Sequence, residues 1–226
     1  MVLLILKKIT NRTTTEHHHK MTSKGIVFDL DAANSDSTTA YDKSRYRTTG
    51  TVTAALPVEN GYYFNGSTAQ IPFTTVSQLQ IARSLITLVA WMKSSNAAEM
   101  AILDKLDDGD TPTQGYGLRT SSTGTAVFTT NTDEYNSTVS IVDSKPHFIA
   151  GVLDGTNKFI VVDDKVAITK AYTTAITDSA KNLGIGYQVN PEIRFTGIIY
   201  FAQVYNVGLN FGQLMNIYNS TKHKYL

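Results

Sequence analysis

Residues 194–226, RFTGIIYFAQVYNVGLNFGQLMNIYNSTKHKYL, change hydrophobic period once, and that change limits the folds open to the chain. From Thr196 to Asn206 the residues Ile198, Ile199, Tyr200, Phe201, Val204 and Tyr205 are β-branched or aromatic, the types a pleated strand accommodates best. Apolar residues fall on both sides of the period-2 alternation, which predicts a strand with little of either face in water. Beyond it the period becomes helical. Phe211, Leu214, Met215 and Tyr218 stand at i, i+3, i+4 and i+7, one face of a short helix. Asn210 is a fitting N-cap, and Gln213 three residues on completes a capping box. Lys222 and Lys224 fall where a helix C-terminus favours positive charge. The chain is expected to close on a buried strand, a turn and a short lid helix.

Upstream, GIVFDLDAAN, SLITLVAWMKS, AILDKL, GYGLRT, TAVFTT and HFIAGVLDGTNKFIVVDDKVA read as strands, with turn signals roughly every 8–12 residues. That spacing predicts an all-β, two-sheet antiparallel sandwich. In the second run Ile86, Leu88, Ala90 and Met92 alternate with Thr87, Val89, Trp91 and Lys93. NGYYFNGSTAQIPF reads as a hairpin turning at Asn65-Gly66, because Asn-Gly permits the positive φ angles of a tight turn. LDDGDTPTQG and NTDEYNST read as polar loops.

Of 226 residues 42% are hydrophobic, enough for one sizeable core, and cysteine is absent, so disulfides play no part. Net charge is +1 but unevenly placed. Residues 1–24 carry Lys7, Lys8, Arg12, Lys20 and Lys24 against Glu16. They show no hydrophobic period and are expected to form an extended arm before a body at residues 25–226. The arm's run Val2, Leu3, Leu4, Ile5 and Leu6 is too short for a signal-peptide core or a membrane span, so neither cleaved secretion nor membrane insertion is expected. It suits strand addition to a partner's sheet edge, with Lys7, Lys8 and Arg12 adding charge attraction. The arm lacks interleaved aromatics and dense arginine, which disfavours nucleic acid.

G-x-I-x-x-x-x-V-Y-N-x-x-L followed by the short helix resembles the closing segment of the laminin G-like, concanavalin A-like jelly-roll family. The ending Y-N-S-T-K-H-K-Y is most similar to copies carried on phage and viral virion proteins. The strand around Trp91 and the H-x-x-x-x-x-D-G run from His147 resemble the family's own, with Asp164 at a turn position usually held by glycine. The order of these motifs covers nearly all of Gly25 to Leu226. The resemblance implies a jelly roll with a short C-terminal helix. YDKSRYRTTGTV resembles the family's D-x-S segment, near which relatives often hold calcium; this makes Asp42 a candidate calcium ligand, and no other cofactor is called for. The alternative is that Asp42 bonds its own turn. Trp91, the single tryptophan, either stacks on a sugar ring or packs between layers.

A retaining glucanase of this wider fold needs two carboxylates about 5 Å apart. None of Glu16, Glu59, Glu99, Glu134 and Glu192 has a second glutamate or a suitably spaced aspartate nearby in sequence. G-x-S-x-G, P-loop and H-E-x-x-H motifs are also missing. The expectation is a non-enzymatic virion structural or decoration protein. It would be displayed on a capsid or fibre as a homo-oligomer, with other virion or capsid proteins as partners of the arm. The alternative is an extracellular lectin module that binds a host-surface glycan; a polysaccharide hydrolase comes last.

Overall fold

A computed structural model describes residues 24–32, 35–107, 112–188 and 192–226. The expected arm, with its docking residues Val2 to Leu6, Lys7, Lys8 and Arg12, lies outside them. In chain order the strands are β1 (Ile26–Asp31), β2 (Thr39–Tyr41), β3 (Thr49–Thr51), β4 (Leu56–Val58), β5 (Gly61–Asn65), β6 (Ile71–Phe73), β7 (Leu85–Lys93), β8 (Met100–Leu106) and β9 (Gly115–Thr120). They continue as β10 (Thr125–Thr130), β11 (Asp133–Ser140), β12 (Pro146–Asp154), β13 (Asn157–Val162), β14 (Lys165–Ala171), β15 (Leu183–Ile185), β16 (Tyr187–Gln188), β17 (Ile193–Arg194) and β18 (Thr196–Tyr205). Helix α1 (Phe211–Thr221) follows.

Two eight-stranded sheets face each other, and the pairings between described strands are antiparallel. The first runs β14-β13-β12-β7-β18-β5-β4, and the second β11-β10-β9-β8-β15-β6-β3-β2. β18 is the hub of the first sheet. One edge pairs with β7, while β5 takes Thr196 to Ile199 on the other edge and β1 takes Phe201 to Tyr205. This is the all-β sandwich that the strand spacing predicts. Its core lies between the sheets, where Ile86, Leu88, Ala90 and Met92 of β7 meet Ile199, Ala202 and Val204 of β18. Val89, Trp91, Phe201 and Tyr205 point the other way, into a second apolar cluster with Leu209, Leu214 and Ile217 at α1. A strand apolar on both sides is thus a strand with core beneath and helix above. A register shift between Ile199 and Phe201 sets Tyr200 and Phe201 together in the outer cluster.

α1 starts as its sequence predicts. Asn210 Oδ1 accepts from the Gln213 amide at 2.9 Å, and Gln213 Oε1 accepts from the Asn210 amide at 2.9 Å. Its buried stripe is displaced, however, to Leu214 and Ile217, and Phe211 is exposed.

Three expectations are corrected. Asn65-Gly66 is not a hairpin turn, since β5 belongs to the first sheet and β6 to the second. The chain crosses between sheets there, and Asn65 Oδ1 accepts from the amides of Ser67, Thr68 and Ala69. The hairpin lies one strand earlier, where Asn60 takes a φ of 58° between β4 and β5. NTDEYNST is not a loop but most of edge strand β11, whose polar side chains largely face water. The positive φ of the β13–β14 turn falls on Asp163, at 55°, and not on Asp164, the turn position usually held by glycine.

Candidate functional site

Asp42 organises the first candidate site. Its carboxylate is 2% exposed and filled by donors. Oδ1 accepts from the amides of Asp29 (2.9 Å) and Ser44 (2.7 Å), and Oδ2 from the hydroxyls of Ser44 (2.8 Å) and Thr48 (2.9 Å). These bonds fold the β2–β3 loop against β1, where the Lys43 amide also donates to the Asp29 carbonyl at 2.8 Å. A calcium ion needs six to eight oxygens. Here N–H and O–H donors occupy the carboxylate, and the described residues assemble no group of three His, Cys, Asp or Glu. The surroundings of Asp42 do not fit calcium; they fit the bonding of its own turn.

The loop so held forms one wall of a groove of about 660 Å³. Lys24 and Asp29 at β1, Gln203 and Tyr205 on β18, and Ser220 and Thr221 at the end of α1 line the rest. Asp29 and Gln203 stand opposite each other in the β1–β18 register. Gln203 Nε2 donates to Asp29 Oδ1 at 2.9 Å, and the Tyr205 hydroxyl donates to Gln203 Oε1 at 3.0 Å. Burial, then the nearby Asp29 charge, pushes the Tyr205 phenol up, so it keeps its proton and fixes the orientation of the Gln203 amide. The groove therefore presents a hydrogen-bonded carboxylate and amide, and Lys24, Lys43 and Arg45 line it as well.

Trp91 lies behind this groove, not in it. The indole is fully buried, stacked on Tyr218 (centroids 5.6 Å apart, planes 14° apart) and edged by Phe148 and Tyr225. It has no open face for a sugar ring. Its Nε1 donates to Thr221 Oγ1 at 2.9 Å, so it positions a groove residue from beneath.

A second polar centre sits on the outer face of the other sheet. Arg119, 2% exposed, donates through Nε to Asp104 Oδ2 at 2.8 Å and through Nη2 to Gln188 Oε1. Its Nη1 lies 3.3 Å from Glu99 Oε1 and 3.9 Å from Glu134 Oε1. Burial pushes the Asp104 carboxyl up, against the pull of Arg119. Asp104 lies over Gly117, where a Cβ would meet Oδ2 at 2.7 Å, so the pairing needs glycine there. Glu99 and Glu134 are distant in sequence, and strand pairing brings both to one guanidinium. A search for glutamates spaced along a single strand misses them. No motif marks Lys24, Arg45 or Gln203 for the groove; the Asp42-x-Ser44 motif is the one signal in the sequence that points to that place.

The sequence matches the profile of the concanavalin A-like lectin/glucanases superfamily over residues 65–213. The chain belongs to that superfamily. No curated protein matches it. Among solved structures, this concanavalin A-like chain is similar to one of botulinum neurotoxin type C, whose cell entry is described as dependent on two ganglioside molecules. That match has a TM-score of 0.70 and 14% identity, over 89% of this chain and 52% of that one. It is similar to the binding domain of Paraclostridial Mosquitocidal Protein 1, at 0.69 and 13%, over 88% and 53%. It is also similar to a Trypanosoma rangeli sialidase in complex with sialic acid, at 0.65 and 16%, over 98% and 39%. The chain spans about half the length of the first two. At these identities the likeness is one of fold. No helix among the described residues is long and apolar enough to cross a membrane.

Proposed function

We propose that this superfamily member is a non-enzymatic glycan-binding module whose site is the groove between β1, β18, the β2–β3 loop and the end of α1. The observation that carries the reading is the polar lining of the groove. A carboxylate, an amide and a phenol are held in one hydrogen-bonded row, and such groups take sugar hydroxyls as donors and acceptors without reorganising. The sialic acid and ganglioside named with two of the similar structures support a carbohydrate ligand. Glu99 and Glu134 share the Arg119 guanidinium, which supports reading them as ion-pair partners instead of an acid and a nucleophile. The chain should be captured by immobilised host-surface glycans, and Gln203→Ala should abolish capture in a chain that still folds, at a cost of about 1–3 kcal/mol because the buried Tyr205 hydroxyl loses its acceptor. Absence of capture across a broad glycan panel, or release of cleaved sugar, would overturn the reading.

The finer reading is a virion decoration protein, in which this module is displayed on a capsid or fibre as a homo-oligomer. Its support is the likeness of the Y-N-S-T-K-H-K-Y ending to virion-borne copies, together with a basic arm. In it Val2 to Leu6 adds a strand to a capsid partner, and Lys7, Lys8 and Arg12 hold the arm by charge. A chain beginning at Met21 should then melt at nearly the same temperature yet fail to join purified particles. Normal assembly of the shortened chain would place the docking surface elsewhere.

A further inference from the structure

We propose that His147 is a pH-operated latch: charged, it ties the connection between β11 and β12 to the β13–β14 turn, and on losing its proton it lets that connection go. The latch shares no residue with the groove and does not depend on what the groove binds. His147 lies on β12, buried, with its ring between two carboxylates. Nδ1 is 3.0 Å from Asp163 Oδ2 in the β13–β14 turn, and Nε2 is 2.9 Å from Asp143 Oδ1 in the connection from β11. An ionised carboxylate only accepts hydrogen bonds, so both ring nitrogens must carry hydrogen to make these two bonds, and that ring is the imidazolium. A neutral ring has one N–H. It can keep one carboxylate, and its other nitrogen turns a lone pair on the second.

Both segments held by the ring contain a strained residue. Ser144, beside Asp143, has a φ of 70° and Asp163 one of 55°, a region unfavourable to side chains with a Cβ. The two are not held equally. Asp163 has ties besides the ring: its Oδ1 accepts from the Phe148 amide at 3.0 Å, and its amide donates to the Phe148 carbonyl at 2.8 Å. Asp143 is the more exposed, and its further partners are local: the Lys145 amide at 2.9 Å and the exposed Lys145 Nζ at 3.5 Å. The neutral ring therefore keeps Nδ1–H on Asp163, and Asp143 swings into water. The bond from the Ser144 amide to the Ser94 carbonyl, just past β7, must then hold the left-handed residue unaided. Other charged and titratable groups come from each neighbouring element: Asp164 in the β13–β14 turn, Lys93 opposite Pro146, Lys165 opposite Val162, and Tyr218 with Lys222 at the end of α1. The bond to Asp163 raises the imidazole pKa above its ordinary 6.5, against burial, and the bond to Asp143 raises it further. The Asp143 carboxyl is held below its ordinary range, first by the bond from the ring, so it is charged wherever the ring titrates. The stabilisation is thus complete below pH 6.5, until Asp143 protonates in acid, and is lost as pH rises through the raised midpoint of the folded chain.

The test is NMR of the full chain between about pH 5 and about pH 9, following the His147 ring and the amide-exchange protection of single residues relative to the unfolded rate at each pH. The ring, assigned by its loss in His147→Gln, should titrate with a midpoint above 6.5. Asp143→Asn should lower that midpoint. In the native chain the Ser144 and Lys145 amides should lose about tenfold in protection for each unit of that lowering as pH passes the midpoint, while the Phe148 amide keeps its protection. In His147→Gln the Ser144 and Lys145 amides should be weakly protected throughout, with no step. A ring midpoint at or below 6.5 would overturn the latch, and so would protection of Ser144 and Lys145 that is flat across the midpoint. The same step in His147→Gln would also overturn it, by placing the titrating group elsewhere. Loss of protection at Phe148 with Ser144 and Lys145 unchanged would overturn it too, since the wrong carboxylate would have been released. If His147→Gln does not fold, the ring midpoint and the protection in the native chain and in Asp143→Asn decide the matter.

Discussion

Asp42→Ala is expected to destabilise the fold by about 3 kcal/mol, since it strands buried donors that each cost about 1–3 kcal/mol to leave unpaired. For a chain of this size that lowers the melting temperature by roughly 6–12 °C. The carboxylate receives two backbone amides and two hydroxyls, and no single neighbour can replace it. Asp42→Asn should recover little, because the side-chain NH₂ would turn a donor towards donors. Ser44→Ala removes one hydroxyl and should cost about 1 kcal/mol. Binding in the groove should fall with Asp42→Ala even where the chain stays folded, because the loop carrying Lys43 and Arg45 loses its tie to β1. Thermal melts of the three variants check this. An unchanged melting temperature in Asp42→Ala, with a rise in the native chain on adding calcium, would return Asp42 to the role of metal ligand.

What could be read from the sequence depends on how local its cause is. The switch from strand to helix at the end of the chain is encoded within a few residues, and the Asn210–Gln213 capping box appears as read. The stripe of α1 that is buried depends on which residues of distant strands it meets, so Ile217, packed in the cluster around Trp91 and Phe201, replaces Phe211. Asn65-Gly66 reads as a hairpin because that pair favours a tight turn, yet the strands it joins pair in different sheets. β11 was hidden because polar residues at a sheet edge look like loop residues until a partner strand is known. The site follows the same rule. Asp42 and Ser44 are two residues apart, and their turn was legible. Asp29 and Gln203 are opposed through the β1–β18 register, and Glu99, Arg119 and Glu134 through β8 to β11; no spacing rule along the chain reports either meeting.

Asp133→Ala is expected to have an effect of similar or greater size, because it leaves a buried ammonium without its counter-charge. Lys158 on β13 is fully buried, and its Nζ donates to Asp133 Oδ2 (2.7 Å), the Asp133 carbonyl (2.7 Å) and Thr130 Oγ1 (2.9 Å). Lys170 on β14 reaches Asp133 Oδ1 at 2.6 Å. Asp133 lies on β11, so one carboxylate ties the two sheets together at an open edge. Burial alone would raise its pKa, but the hydrogen bonds and charges of the two lysines outweigh burial and hold it below the ordinary range. Removing one member of such a buried pair typically costs about 3–5 kcal/mol, or roughly 6–20 °C in melting temperature. Lys158→Met takes away the charge instead of stranding it and should cost less. The pH dependence separates these causes. Burial lowers the Lys158 pKa to about 8, with Asp133 opposing, from 10.5 in the unfolded chain. Between those values the unfolded chain holds a proton that the folded chain has released, so this lysine makes stability rise with pH. The rise should show from about pH 8 to about pH 9, before the tyrosines of the unfolded chain, which ionise near pH 10, begin to pull stability down. Lys158→Met should lack it. In Asp133→Ala the rise should begin at lower pH, because the ammonium has lost the carboxylate that opposed its deprotonation. Denaturant unfolding of the three chains across this range decides it: parallel pH curves would mean that Lys158 is not the titrating group, and a mild cost for Asp133→Ala would mean that the sheet edge is held by packing alone.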